Sequence, residues 1–286
     1  MRELLGALGL VLREALCRNP VPRTPEPNPI MDDAHHVAAF DAAAEVLLPV
    51  YHLSARAIGR LLPRSGTLLD LGCGSGRFLA HLAQVRPDVR IVGIDLSKVM
   101  VETGRTALAA SGLGDRVELH IGDMTDLRPF AGLRPDVVSS VFSLHHLPDD
   151  DALRRCLAEI DRVRGSGGAW IFDHARPRSR ATAERFPHVF TPRLDETFRR
   201  DSTSSLLASW EFERLSEELG DDWRHLRARR LRLYQAHWAG PTHDTVDPAE
   251  ANNLPAARAR RAHRRLSALF RDLDLLRTAA RTRRLH

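Results

Sequence analysis

The chain has 286 residues, is 43% hydrophobic and carries a formal net charge of +5. This allows one large domain or a core domain with appendages, and no apolar run reaches the roughly 20 residues of a membrane-spanning helix. The basic excess is local: Pro255 to His286 holds ten Arg and two acids, Asp272 and Asp274, a net of +8, which leaves the rest at −3. Cys17, Cys73 and Cys156 have the spacing of neither a disulfide framework nor a zinc site, so a reducing, cytoplasmic setting is expected.

The opening stretch MRELLGALGLVLREALCRNP carries Glu3, Arg13 and Glu14 among its leucines and does not read as a signal peptide. It reads as an amphipathic helix with Leu4, Leu5, Leu8, Val11 and Leu12 on one side, a face that could pair two chains. NPVPRTPEPNPI, residues 19–30, has five prolines in twelve positions and reads as a linker or extended strap. Helical patterns follow over about 33–47 and 50–62.

From residue 66 short apolar runs alternate with amphipathic segments. TLLDLG is a first strand and RFLAHLAQV a helix; RIVGIDL is a second strand, followed by a helix from Lys98 to about Ser111. VELHIGD is a third strand and PDVVSSVF a fourth, followed by a helix over 150–164, and GAWIFDHA is a fifth strand. Strands separated by helical segments imply a parallel sheet with right-handed crossovers, and their short apolar character fits a sheet covered on both faces. After Arg180 a helix over about 207–219 precedes LRARRLRLYQAHWA, which supplies one or two closing strands. The tail from about 256 places Leu266, Leu269, Phe270, Leu273 and Leu276 at helical spacing.

In an open parallel sheet, ligands bind beyond the carboxyl ends of the strands, near the point where strand order reverses. The first loop there, Gly72-Cys73-Gly74-Ser75-Gly76, lets the backbone turn sharply and approach a ligand without a Cβ in the way. It lacks the Gly-Lys-Ser/Thr ending of a nucleoside-triphosphate loop, and G-x-G-x-G is not the G-x-G-x-x-G of dinucleotide folds. Three acids fall at strand ends: Asp70, Asp95 and Asp123. A carboxylate ending the second strand suits a ribose diol, since it accepts from both hydroxyls. Asp123 can accept from an exocyclic amine, while the Met124 N–H donates to a ring nitrogen.

LLDLGCGSGRF, VGIDLS, IGDMTD and PDVVSSVFSLHHLPD, taken together, resemble the successive motifs of class I S-adenosylmethionine-dependent methyltransferases, nearest the group that includes quinone-biosynthesis methyltransferases. The resemblance covers residues 66–177 and echoes more weakly in RRDSTSSLLASWEFERLSEELG. It implies an α/β, Rossmann-like, seven-stranded and mostly parallel sheet with helices on both faces, an N-terminal helical lid and a C-terminal helix. The implied organisation is an amphipathic helix and linker over 1–30, a lid over 31–65, a core over 66–240 (cofactor half 66–177, acceptor side and closing strands 178–240) and a basic tail over 241–286. Gly72, Gly74 and Gly76 would line the methionine moiety, with Cys73 a small loop side chain. Asp95 and Leu96 would hold the ribose, Asp123 and Met124 the adenine, Val141 would border the cofactor, and Asp70 would reach its ammonium group.

For the acceptor side, His145 and His146 follow the fourth strand, where a methyl acceptor would approach, and an imidazole titrating near neutrality can serve as a general base. Asp173, His174 and Arg176 follow the fifth strand on the same rim; Asp173 is a catalytic candidate and the other two candidates for acceptor binding. Among His35, His36, Tyr51 and His52 of the N-terminal helical patterns, Tyr51 is a candidate to contact substrate. The fourteen histidines show no metal-ligand spacing, so no metal is expected. The leading expectation is methyl transfer to the O, N or C of a small molecule, with S-adenosylhomocysteine as product. The competing readings are methylation of RNA or protein through the basic tail, and a cyclase or lyase that uses the cofactor without transferring a methyl. The fourth strand lacks the Asn-Pro-Pro-Tyr type of signature of base-amine methylation, so nucleic acid is not the expected partner.

Overall fold

Successive residues of a strand point to opposite faces of its sheet, and here both faces meet apolar layers. Leu68, Ile91, Val117 and Val137 enter one hydrophobic cluster; their neighbours Leu69, Val92 and Val138 enter another. A computed structural model describes residues 2–30, 32–33, 37, 44–228 and 232–243. The sheet consists of β1 (Thr67–Leu71), β2 (Arg90–Asp95), β3 (Val117–Ile121), β4 (Val137–Val141), β5 (Gly168–His174), β6 (Arg224–Arg227) and β7 (Tyr234–Ala239). Its order is β3-β2-β1-β4-β5-β7-β6, with β1 to β5 parallel and β7 antiparallel to both β5 and β6.

The helices are α1 (Arg2–Leu16), α2 (Ala44–Leu61), α3 (Arg77–Val85), α4 (Lys98–Ala110), α5 (Asp150–Arg164), α6 (Arg180–Phe190), α7 (Glu196–Ala208) and α8 (Phe212–Leu219). Side-chain caps fix several starts: Ser97 accepts from the Met100 N–H at α4, Asp149 from Ala152 at α5 and Asp195 from Phe198 at α7. α3 differs, since Gly76 at its N-cap offers no side chain.

Helix bounds depart from the expected pattern: the 207–219 helix is interrupted over 209–211, between α7 and α8. The 33–47 and 50–62 patterns do not part near residue 48, because α2 runs continuously from Ala44 to Leu61 with Pro49 inside it. α2 packs in the core through Tyr51, Leu53, Ala55, Ile58 and Leu61. On α1 the stripe that packs is 6–10–14 rather than the leucine face. Leu10 and Glu14 are buried, whereas Leu5, Leu8, Leu12 and Leu16 are 51–76% exposed. The cause is close approach: a Cβ on Gly6 would lie 3.0 Å from Val189 of α6. The Glu14 carboxylate accepts from the Arg178 and Ser179 N–H groups just before α6, a favourable site for an anion. His35, His36 and the basic tail from residue 244 onward, with its leucine pattern, lie outside the described residues.

Candidate active site

Strand order reverses between β1 and β4, and the loops leaving those strands meet beyond their carboxyl ends. The Ser143 hydroxyl donates to the Leu71 carbonyl at 2.7 Å and lies 2.6 Å from the Ser140 hydroxyl. Gly72, Gly74 and Gly76 have φ of +70°, +54° and +71°, the left-handed region that glycine enters without steric cost. Gly72 has a second constraint, since a Cβ there would lie 2.3 Å from the Ser143 Cβ. A Cβ on Gly74 would meet nothing within 4 Å, so this glycine borders open space. Behind the loop, α3 begins at a glycine N-cap that makes no side-chain hydrogen bond.

Asp95 ties the loop to β2. Its Oδ2 accepts from the Gly74 N–H and its Oδ1 from the Ser97 N–H, both at 2.8 Å. Each oxygen keeps a lone pair for a hydroxyl. Burial raises its pKa despite those two bonds. Asp95 lies in register with Ile121 at the end of β3. Ile121 and Leu96 are 50% and 45% exposed, an apolar ledge at strand ends. Asp123 borders the ledge with an exposed carboxylate whose Oδ1 accepts from the Thr125 N–H. Met124 is buried under the loop, its Cε 3.4 Å from where a Gly72 Cβ would sit. An apolar shelf between two carboxylates, reached past a bare glycine, fits an adenosyl group carrying a polar amino-acid tail.

The remaining candidates on this side are inside the protein. Asp70 is buried and accepts from the Ser139 hydroxyl. Burial pushes its pKa up to about 7, against that hydrogen bond and aided by the Asp95 charge. Burial also raises the Cys73 thiol well above its ordinary value, and its sulfur packs where a Cβ on Gly93 would fall; a buried, protonated thiol is inert. Val141 is buried at the end of β4.

On the other side, His145 and Asp173 form a buried pair. His145 Nδ1 lies 2.7 Å from Asp173 Oδ1, and the His145 N–H donates to Oδ2 at 3.1 Å. The His174 N–H donates to Oδ1 at 2.7 Å. Burial pulls the His145 pKa down, but the charge and hydrogen bond of Asp173 outweigh it and the net shift is upward. Asp173 shifts downward for the complementary reason: its burial is outweighed by His145. His174 is lowered to about 4, mainly by burial and then by His145. Its ring lies 4.7 Å from that of Phe142 and 5.2 Å from that of Tyr234. Phe142 has φ +58°, a strained value for a bulky residue, and completes this aromatic wall. Arg176 pairs with Glu211 instead of standing free, and Tyr51 is buried against Phe78 at a ring distance of 5.7 Å.

The strap also reaches this side, which sequence reasoning did not signal. Glu26 Oε2 lies 2.5 Å from His146 Nδ1, and Glu26 Oε1 accepts from the Ser205 hydroxyl at 2.7 Å. Burial would raise the Glu26 pKa, but His146, His145 and Ser205 bring it down to about 2. Arg23 stacks 3.8 Å over the Trp210 ring. Its guanidinium donates to the carbonyls of His145, Leu147, Pro148 and Ala208. These residues sit in a proline-rich stretch without periodicity, so no pattern marks them.

The sheet order is that of the Rossmann-like methyltransferase fold. Residues 68–168 match the methyltransferase domain family. The chain is 36% identical over 115 residues to demethylmenaquinone methyltransferase of Symbiobacterium thermophilum, covering 40% of this chain and 44% of that protein. It is 33% identical over 135 residues to 27-O-demethylrifamycin SV methyltransferase of Amycolatopsis mediterranei, covering 47% and 49%. The chain thus spans about half the length of these relatives or less. Its fold matches the crystal structure of a putative S-adenosylmethionine-dependent methyltransferase from Methanococcus maripaludis, with a TM-score of 0.52 at 19% identity, over 76% of this chain and 97% of the other. Among the described residues, no helix is long and apolar enough to cross a membrane.

Proposed function

We propose that this protein transfers a methyl group from S-adenosylmethionine to an oxygen of a small-molecule acceptor. The observation that carries this reading is the buried His145–Asp173 pair at the carboxyl ends of β4 and β5. When bound, S-adenosylmethionine supplies an electrophilic sulfonium methyl. The residues suited to hold it are Gly72, Gly74, Asp95, Leu96, Asp123 and Met124, with Asp70 behind them. Asp173 fixes the His145 ring through Nδ1 and leaves Nε2 as the nitrogen that takes a proton from an acceptor hydroxyl. Phe142, His174 and Tyr234 form an aromatic wall that suits a planar acceptor, and the strap excludes water from the loop after β4. The name of the rifamycin relative, which places a methyl on oxygen, is consistent with this reading.

Incubation with S-adenosylmethionine and a panel of phenols and other hydroxyl compounds, read by mass spectrometry, tests the proposal. Acceptor-dependent S-adenosylhomocysteine and an acceptor heavier by one methylene unit are the expected products. Methylthioadenosine would point to a cyclase or lyase instead, and salt-sensitive binding to tRNA would favour the nucleic-acid reading. The free thiols Cys17, Cys73 and Cys156 suit a cytoplasmic setting. Leu5, Leu8 and Leu12, exposed at near-heptad spacing on α1, suit pairing of two chains. Sedimentation of the wild type as a dimer and of Leu8→Glu as a monomer is the expected result.

A further inference from the structure

Glu26 lies in the strap and His145 and His146 in the turn after β4, and the fold converges them on one point. Each offers a ligand atom, and the three atoms lie within 4.8 Å of one another. We propose that Glu26, His145 and His146 form a binding site for a divalent transition cation such as Zn2+, closed by the strap.

Two imidazoles and one carboxylate are a donor set that suits zinc or iron(II). Three protein ligands leave positions for water or an exchanging ligand, as in reactive rather than purely structural sites. The supporting residues match what metal sites require, because a ligating histidine usually donates its other ring N–H to a carboxylate. Asp173 is the carboxylate acceptor for His145 Nδ1 at 2.7 Å, and the Ser205 hydroxyl donates to the second oxygen of Glu26 at 2.7 Å. The His145 side chain is buried and that of Glu26 nearly so, whereas His146 is 27% exposed and marks the side from which a cation enters. A cation would replace the Glu26–His146 contact and fasten the strap to the loop after β4. It would also occupy the His145 nitrogen that proton transfer needs, so occupancy and base catalysis exclude each other.

The test uses the tag-free full chain, stripped with a chelator, with Zn2+ titrated by calorimetry and Co2+ by visible absorption. One cation per chain is expected, with Glu26→Gln and His146→Ala each weakening Zn2+ binding by at least about tenfold. No Zn2+ binding at micromolar concentration, or equal affinity in wild type and both variants, overturns the proposal. Should either variant fail to fold, as judged by circular dichroism, the wild-type Co2+ spectrum decides. Intense low-symmetry bands are expected, and an unchanged hexaaquo spectrum overturns the site. S-adenosylhomocysteine binding by the metal-free chain is read separately, so failure of the cation site and failure of the methyltransferase reading are distinguishable.

Discussion

Beyond β1, β2 and β3 the site is assembled from nearby stretches of chain, whereas beyond β4 and β5 it depends on distant ones. Asp95 bonds the Gly74 N–H across 21 residues, and its other oxygen bonds Ser97 two residues on. On the acceptor side, Glu26 meets His146 across 120 residues, and Arg23 reaches the His145 and Ala208 carbonyls across 122 and 185. The first side is held by backbone conformation and strand ends, which any ligand with the same adenosyl group can share. The second is held by tertiary contacts, and there one chain can differ from another in what it accepts. Under the proposed function, cofactor and acceptor recognition sit on separable scaffolds, and substitutions on one side should leave the other's measurements nearly unchanged.

The largest expected effect lies on the acceptor side. His145→Ala should lower turnover by about 100-fold or more, as expected for loss of a general base, read as S-adenosylhomocysteine formed per enzyme with the acceptor found in the panel. Undiminished turnover would remove His145 from proton transfer and with it the difference between the two sides. On the cofactor side, Gly72→Ala adds a Cβ 2.3 Å from Ser143 at a φ of +70°. The left-handed conformation alone costs about 1–2 kcal/mol, so a fall in Tm on the order of 5 °C and loss of S-adenosylhomocysteine binding are expected. Gly74→Ala carries the same left-handed cost at φ +54° but adds its Cβ to open space, so its fall in Tm should be smaller than that of Gly72→Ala while it still weakens the cofactor.

Asp173→Asn gives a smaller and more specific effect. Asp173 raises the pKa of His145, so the proton-accepting neutral ring gains population only as pH rises through that elevated value. The asparagine variant should be slower, with the acid limb of its pH–rate profile moved to lower pH; an unmoved limb would mean that another group titrates. The linked stability has a definite window. A raised histidine stabilises the fold below its unfolded pKa of about 6.5, and a lowered aspartate does so above about 3.9. The Tm gap between wild type and variant should therefore be widest between about pH 4 and 6.5.

The same division explains what the sequence made legible. The five parallel strands and the Gly72–Gly76 loop follow from apolar runs, the helical segments between them and glycine placement, all of which are local. β6 and β7 were visible only as one or two strands, because LRARRLRLYQAHWA mixes charge with apolar residues and β6 is only partly buried. The leucine face of α1 is legible as an amphipathic face, but which stripe meets the core is not, because close approach at Gly6 and a capping role for Glu14 decide it. Glu26 and Arg23 left no trace at all, since a carboxylate and a guanidinium among prolines acquire partners only when the strap is laid across the loop. Ile121 reads as an ordinary strand residue until its exposure sets it apart.

Calorimetric titration of S-adenosylhomocysteine into wild type, Asp95→Ala and His145→Ala tests the division most directly, because it needs no acceptor. At least tenfold weaker binding in Asp95→Ala, a loss of about 1.4 kcal/mol or more, with His145→Ala within about twofold of wild type, is the predicted result. Unchanged affinity in Asp95→Ala, or a loss in His145→Ala as large as the one predicted for Asp95→Ala, would contradict it.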